Sequence, residues 1–154
     1  MRRIAPGVEQ AGAPVPRRLA DFLGGWHVAR RLIHDDGSEG RFEGRADWSA
    51  EGAGAVYAEV GQLWLAGQGP FTAERRHRWG ADMAVFFEDG RLFHHVPPLG
   101  GAVGHWCPPD QYDGHYDFLD WPVWRVTWCV TGPRKGYRSA TTYSPLRGQP
   151  PDSM

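Results

Sequence analysis

The sequence predicts an all-β protein, an antiparallel up-and-down β-barrel of about 8–10 strands that follows a short N-terminal helix. Gly, Asp-Gly and Pro pairs recur at intervals of roughly 8–14 residues, as in a meander of antiparallel strands. Between them, several segments alternate with the period of a strand, and only the N-terminal segment has a helical pattern. A barrel accounts for this pattern more simply than a sandwich, because it removes exposed strand edges and no long crossover is visible.

The N-terminal segment precedes the barrel. Residues 1–14 are rich in Gly, Ala and Pro and are expected to form a flexible tail. Pro16–Phe22 is expected to form one helical turn, which Gly24-Gly25 ends. A single β-barrel domain is expected over residues 15–144, followed by a disordered tail over residues 145–154.

Turn signals divide the domain into ten expected strands. Asp89-Gly90 predicts a tight hairpin between the fifth strand and the sixth. In the ninth strand, Trp124 and Trp128 share one face and Arg125 lies on the other. The expected strands are 26–34, 40–49, 55–65, 71–79, 83–88, 91–96, 102–107, 115–119, 123–131 and 135–143.

Composition limits the classes of partner. The 154 residues include 17 basic and 18 acidic side chains, for a net charge of −1, which argues against nucleic-acid binding. The longest purely apolar run, Met83–Phe87, is far shorter than the ~20 residues of a membrane helix, so no membrane partner is expected. Two cysteines cannot form a disulfide framework, and no apolar stretch follows the N-terminal arginines. We therefore expect a cytoplasmic monomer or homodimer with reduced thiols.

Two neighbouring strands place polar side chains among aromatic ones. Arg75, His77 and Trp79 share one face of the fourth strand, and we expect that face to point inward, although a surface strand remains the alternative.

Glu59 follows the same pattern in the third strand, where it shares a face with Tyr57. A buried carboxylate needs a cationic partner, and Arg30 and Arg75 are the candidates.

The densest group of reactive side chains is His105, Cys107, Asp110 and Tyr112. These types can form an acid/base relay, with His94 as a further candidate on a neighbouring strand. His and Cys also suit zinc, copper or iron, but the spacing matches no strong metal motif. The plain alternative is structural, with Cys107 as a small buried side chain and Asp110 as a turn cap.

Lys135 lies between the last two strands, in Gly132-Pro133-Arg134-Lys135-Gly136-Tyr137. This segment lacks the order of a P-loop. It is either a hairpin turn with two solvated cations or a place where Lys135 or Arg134 meets an anionic ligand at the barrel mouth.

Leu23-Gly24-Gly25-Trp26 resembles the Gly-x-Trp start of lipocalins and other calycins. The resemblance implies that Trp26 closes one end of the barrel and that Arg134 or Arg125 packs on it by a cation–π contact.

A wider resemblance covers residues 19–143. The chain is similar to an uncharacterised, calycin-like domain-of-unknown-function family of short bacterial and fungal proteins, and the resemblance brings no established activity. The chain departs from the family pattern at two positions: it has His77 where the pattern predicts Tyr, and Gly136 where the pattern predicts an acidic residue. The motifs that carry the resemblance are Gly24-x-Trp26 with Arg30 four residues on, Tyr57-x-Glu59-x-Gly61-x-Leu63, Ala73-x-Arg75, Asp89-Gly90-Arg91-x-Phe93-His94, His105-x-Cys107-x-x-Asp110-x-Tyr112 and Gly132-Pro133-Arg134-Lys135-x-Tyr137.

Ionisable residues on faces expected to point inward favour an enzyme that performs acid/base chemistry on a small organic molecule without a cofactor. Isomerase, cyclase or lyase reactions in specialised metabolism fit such a site. The alternative function is that of a calycin-type carrier of a small ligand or haem. The alternative to a cofactor-free site is haem, or a divalent metal bound at His105 and Cys107. The expected catalytic residues are His105, Asp110, Tyr112, His77, Glu59 and Arg75, and the expected ligand-binding residues are Arg30, Tyr57, Trp79, His94, Cys107, Arg125, Lys135 and Tyr137.

Overall fold

The computed structural model of the chain describes residues 14–146 and confirms the predicted all-β barrel. Within these residues ten antiparallel strands form one sheet in the order β6-β5-β4-β3-β2-β1-β10-β9-β8-β7. Sequence neighbours therefore pair throughout, except that β1 also pairs with β10. The elements are α1 (Leu19–Phe22), β1 (Gly24–His34), β2 (Glu39–Glu51), β3 (Gly54–Leu65), β4 (Gln68–Trp79), β5 (Ala84–Phe86), β6 (Leu92–His95), β7 (Gly101–Cys107), β8 (Asp110–Asp117), β9 (Trp124–Thr131) and β10 (Gly136–Pro145).

The expected strands match the observed ones except at β8. This strand begins at Asp110, directly after Pro108-Pro109, instead of at His115. The two prolines form the turn of a tight hairpin, in which Cys107 pairs with Asp110. The expected tails lie almost wholly outside the described residues, but Pro145, which we expect in the second tail, ends β10 opposite Trp26.

One end of the barrel is closed by α1 and a group of aromatic side chains. Phe22, at the end of α1, is fully buried between Trp79 and Trp124, with ring centroids 5.2 and 5.3 Å away. The Trp26 indole is 1% exposed and donates a hydrogen bond of 2.8 Å to the Phe22 carbonyl. Edge-to-face contacts of this kind are favourable, so this end is packed core and the cavity lies above it.

The prediction that Arg134 or Arg125 packs on Trp26 is wrong. Arg125 is exposed on the outside of β9, where it bonds Asp120 at 3.0 Å, and Arg134 is exposed in the turn at the opposite end. At the closed end it is Arg17 that packs on an indole, 4.5 Å from the Trp121 ring centroid. The cation thus comes from the segment before α1 and not from a late strand.

The barrel has an open seam, which we define as the unpaired edges of β6 and β7 together with the outer edge of β4 over Gln68–His77. β6 and β7 are the two ends of the sheet and lie next to each other but form no ladder. β5 pairs with β4 only at Arg78 and Trp79, so within residues 14–146 Gln68–His77 has no strand partner on its outer edge. The seam exposes the interior beside Arg75, whose side chain remains 52% exposed although it points to the inner face.

Candidate functional site

The barrel encloses a cavity of about 200 Å³ above the closed end. Its wall is mostly aromatic and aliphatic, with a few polar groups, as is typical of small-molecule sites. No wall residue is acidic, and Arg30 and Arg75 are the charged ones within residues 14–146. The wall is formed by Arg30, Leu32, Trp48, Tyr57, Arg75, His77, Trp79, Val85, Phe87, Phe93, His94, Tyr112, Tyr116, Trp124, Val126, Trp128, Val130, Tyr137, Ser139, Thr141 and Tyr143.

Glu59 lies behind this wall as the partner of both arginines. Arg30 grips it in a fork, with Nη1 to Oε2 at 2.7 Å and Nη2 to Oε1 at 2.9 Å. The Nε of Arg30 also donates to Thr141 Oγ1 at 2.8 Å. From the other side, Arg75 Nε lies 3.3 Å from Glu59 Oε2. Both cationic partners proposed from the sequence are therefore present.

Two phenols complete the network around Glu59. Tyr57 OH donates to Glu59 Oε1, and because it has one proton, the 2.9 Å contact between the two phenol oxygens has Tyr143 as donor. Burial alone would raise the pKa of Glu59, but the hydrogen bonds from Arg30 and the charge of Arg75 outweigh it and lower the pKa to about 2. Burial raises the pKa of Tyr57 and Tyr143, so both stay protonated.

The network carries a surplus positive charge. One carboxylate faces two guanidinium groups, and both wall histidines are neutral near pH 7, because burial first, together with nearby positive charge, lowers the pKa of His77 to about 4 and of His94 to about 3. Each of the three nitrogens of Arg30 donates one hydrogen bond, to Glu59 or to Thr141. Arg75 meets Glu59 through Nε at 3.3 Å, and its terminal nitrogens donate no hydrogen bond to the part of the chain that the structure describes.

His77 is held in one tautomer. Its Nδ1 lies 3.3 Å from the Phe86 carbonyl oxygen, which can only accept, so Nδ1 carries the proton of the neutral ring. Nε2 is then an unprotonated nitrogen on a residue of the cavity wall. The Tyr57 ring lies on one side at 6.0 Å and Phe93 on another at 6.1 Å, which fixes the imidazole between them.

A second histidine lies deeper in the wall. His94 Nε2 is 2.7 Å from the hydroxyl of Tyr116, and its Nδ1 is buried without a partner within residues 14–146. Buried polar atoms without partners are uncommon and often mark functional positions. The indole nitrogens of Trp48 and Trp124, two more wall residues, share this property.

The rim of the barrel, at the end opposite α1, carries a separate ion pair. Lys135 Nζ lies 3.5 Å from Asp110 Oδ2. The neighbouring Tyr112 side chain first, and then Asp110, raise the pKa of Lys135. Tyr112 and Tyr137 reach the cavity wall below this pair, whereas Asp110 and Lys135 do not.

The expected relay of His105, Cys107, Asp110 and Tyr112 does not form. Within residues 14–146 no hydrogen bond links any two of them, although the hairpin of β7 and β8 pairs His105 with Tyr112 and Cys107 with Asp110. His105 packs on Phe93 with ring centroids 5.6 Å apart. Cys107 Sγ lies 3.6 Å from Arg91 Nη1, and Asp110 is paired with Lys135. Of these four residues only Tyr112 reaches the cavity wall, so proximity along the chain does not assemble a relay there.

The other expected residues divide by position. His77, Arg75, Arg30, Tyr57, Trp79, His94, Tyr112 and Tyr137 lie on the cavity wall, and Glu59 lies directly behind it. Arg125, expected to contact a ligand, points outward instead, because it alternates with the inward Trp124 and Val126. Tyr116, Thr141 and Tyr143 are wall residues that the sequence reasoning missed, although each lies on the inward phase of its strand.

Across residues 14–146, no three His, Cys, Asp or Glu side chains are grouped closely enough to hold a metal ion together. His105 and Cys107 would supply two ligands at most from this part of the chain. No helix among the described residues is both long and apolar enough to cross a membrane.

The chain is similar to one family of proteins in sequence and to a solved β-barrel in structure. The model of a family described as "Family of unknown function (DUF6314)" matches residues 22–145. Among solved structures, the S-type phycobiliprotein lyase CPES from Guillardia theta superposes with a TM-score of 0.58 at 8% identity, covering 91% of this chain and 96% of that one. At this identity the likeness supports the fold alone. No curated protein is significantly similar to the chain in sequence.

Proposed function

The chain belongs to the DUF6314 family, a family of unknown function. From the geometry of the cavity we propose that it is an enzyme that performs acid/base chemistry on a small organic molecule inside the barrel. The match agrees with the resemblance to an uncharacterised calycin-like family read from the sequence. We propose a reaction of the isomerase, cyclase or lyase type. The structural neighbour is named a lyase, which is one of these three types.

The observation that carries this proposal is the unprotonated Nε2 of His77. It belongs to a neutral ring on the cavity wall, and the Phe86 carbonyl fixes its tautomer. A general base must present a lone pair within reach of the substrate, in a fixed orientation. His77 replaces His105 and Asp110 as the proposed proton acceptor, because those two lie at the rim.

Arg75 lies two residues from His77 on the same face of β4 and supplies the second element of the chemistry. A base that removes a proton from carbon leaves negative charge on the substrate, and a fixed cation beside it stabilises that charge. Glu59 acts as a positioning residue that holds Arg75 in place. Its own pKa of about 2 keeps it ionised and makes it unsuitable as the base.

Solvent exchange tests the proposal. The protein is incubated in D₂O with a panel of small carbonyl compounds and unsaturated acids, and deuterium at carbon is followed by NMR. We expect exchange or conversion of at least one compound, its loss in His77→Gln, and its retention in the control His115→Gln, which alters an exposed residue of β8. Equal activity in His77→Gln would reject His77 as the base.

The aromatic wall favours a second candidate, a carrier of a small organic ligand. Native mass spectrometry of the protein as isolated, compared with its denatured mass, separates the two. A bound organic molecule that is recovered unchanged, without deuterium uptake, would support the carrier. A mass matching haem, zinc or copper would support the remaining alternatives, with His105 and Cys107 as the ligands to replace first.

A further inference from the structure

We propose that the molecule bound in the cavity is an organic anion, a carboxylate on a flat apolar skeleton, and that Arg75 is the residue that binds its acidic group. This inference rests on the proposed function, since it names the substrate class of the same cavity. It goes beyond that function because the acid/base chemistry of His77 would apply equally to a neutral substrate.

The first argument is the charge balance. Arg30 already neutralises Glu59 through two hydrogen bonds of 2.7 and 2.9 Å, and its own exposure is small. Arg75 therefore adds a cation that no acidic group on the wall balances. A cation held beside a low-dielectric cavity favours an anion there far more than it would in water.

The second argument is geometry. Glu59 contacts Arg75 through Nε, so the guanidinium plane is anchored at one corner while its terminal nitrogens remain free of described acceptors. Two parallel N–H groups of a guanidinium match the two oxygens of a carboxylate. The side chain is 52% exposed and lies at the open seam, so an incoming anion can reach it.

The third argument concerns the rest of the ligand. Phe93 stacks on Phe87 at 4.6 Å and on Trp128 at 4.9 Å, which forms a column of three nearly parallel rings in the wall. Such a wall is stabilised by contact with an apolar, preferably aromatic, surface. A bare inorganic anion would leave this surface unfilled, which is why the structure favours an organic acid over phosphate.

A matched pair of probes tests the inference. The binding of 2-naphthoate and of its neutral amide, 2-naphthamide, is measured by calorimetry, with inorganic phosphate as a third probe. We expect naphthoate to bind about tenfold tighter than the amide or better, and phosphate not to bind, because the charge-assisted pair with Arg75 exists only for the carboxylate.

Three variants locate the preference. Arg75→Gln is expected to make the two naphthalene probes bind equally, and Arg75→Lys to retain part of the difference, since lysine keeps the charge without the fork. Arg76→Gln, the neighbouring exposed residue on the outer face of β4, serves as the matched control and should match the wild type. Circular dichroism checks that each variant is folded.

The outcomes separate this inference from the proposed function. Equal binding of both naphthalene probes by the wild type would overturn the organic anion and leave the enzyme proposal standing. A preference for naphthoate that survives in both Arg75 variants would overturn the role of Arg75. Failure of both probes to bind would overturn this inference and count against a ligand-binding cavity as well.

Discussion

Glu59 shows, at the scale of single residues, how the barrel holds charge in its interior. An isolated buried carboxylate is strongly unfavourable, and here Arg30, Arg75 and Tyr57 together satisfy it. The ion pair need not stabilise the fold relative to apolar side chains, but removing one partner leaves the other charge uncompensated. Glu59 thereby couples stability to the position of Arg75.

Glu59→Gln is therefore expected to lower the free energy of unfolding by about 3–5 kcal/mol, because Arg30 stays buried without its counter-ion. Glu43→Gln, which removes an exposed carboxylate 3.5 Å from Arg41, is the control and should cost less than about 1 kcal/mol. Urea unfolding followed by fluorescence gives both values. Equal small losses would show that the carboxylate is not isolated from water in solution.

The two wall histidines make stability depend on pH. Burial lowers the pKa of His77 to about 4 and of His94 to about 3, whereas both titrate near 6.5 when unfolded. Between these values the unfolded chain binds more protons, so stability is complete above pH 6.5 and falls as the pH drops towards 4. Each imidazole contributes a slope of up to about 1.4 kcal/mol per pH unit.

Urea unfolding at pH 7.5 and 5.5 measures this slope. The free energy of unfolding is expected to be lower at pH 5.5, and His77→Gln to remove part of the difference, while His115→Gln leaves it unchanged. Glu59 does not interfere, because its contribution is lost only below its ordinary pKa of 4.5. A free energy that is the same at both pH values would show that the two imidazoles protonate freely in the folded protein.

At the scale of elements, β2 and β3 approach unusually closely at a pair of glycines. Gly44 and Gly61 are directly opposite in the ladder. A Cβ on Gly61 would lie 2.3 Å from the Glu43 carbonyl oxygen and 2.6 Å from the Gly44 Cα. Backbone cannot move aside as a flexible side chain can, so this contact requires glycine at both positions. The close approach lies two residues from Glu59 and helps to place it.

Gly61→Ala is expected to lower the free energy of unfolding by about 1–3 kcal/mol through this overlap. The control is Gly104→Ala in β7, where the nearest atom to a new Cβ is 3.6 Å away, and its effect should stay within about 0.5 kcal/mol. Chemical denaturation compares the two. Similar stabilities would mean that β2 and β3 can separate at this point without cost.

The strands also show what sequence patterns can predict. Alternation in β3 and β4 placed Glu59 and Arg75 inward, and their direct pairing across the ladder brought them together. The sequence does not reveal the start of β8, because Pro108-Pro109 predicts a break and the residues after it are mostly polar. The sequence also does not predict how far along the barrel axis a residue lies, because the two-residue period of a strand shows which face a side chain is on but not its position between the two ends of the barrel. Asp110 is for this reason expected among the catalytic residues although it lies at the rim, whereas Lys135 lies at the barrel mouth, one of its two expected places.

At the scale of the whole molecule, the seam divides the barrel into a protected and an unprotected half. β1 is paired on both sides, with β2 and β10, along most of its length. Over Gln68–His77, β4 pairs with β3 on one edge and with no other strand of the described chain on the other. A strand with an unpaired edge opens at a lower free-energy cost than a central strand. Local opening of β4 would therefore give a ligand a way into the cavity.

Amide hydrogen exchange is expected to reveal this asymmetry, with amides on the seam-facing edge of β4 exchanging at least about tenfold faster than those of β1. Addition of 2-naphthoate should slow exchange at the seam while leaving β1 unchanged, because the bound probe contacts Arg75 and the ring column of Phe87 and Phe93. If β4 were as protected as β1, the edge would be covered in solution. Protection that rises with protein concentration would then show that a second copy covers it, which is the homodimer alternative. Protection that is independent of concentration would mean instead that the barrel closes on itself and that ligands must enter at the rim beside Lys135 and Asp110.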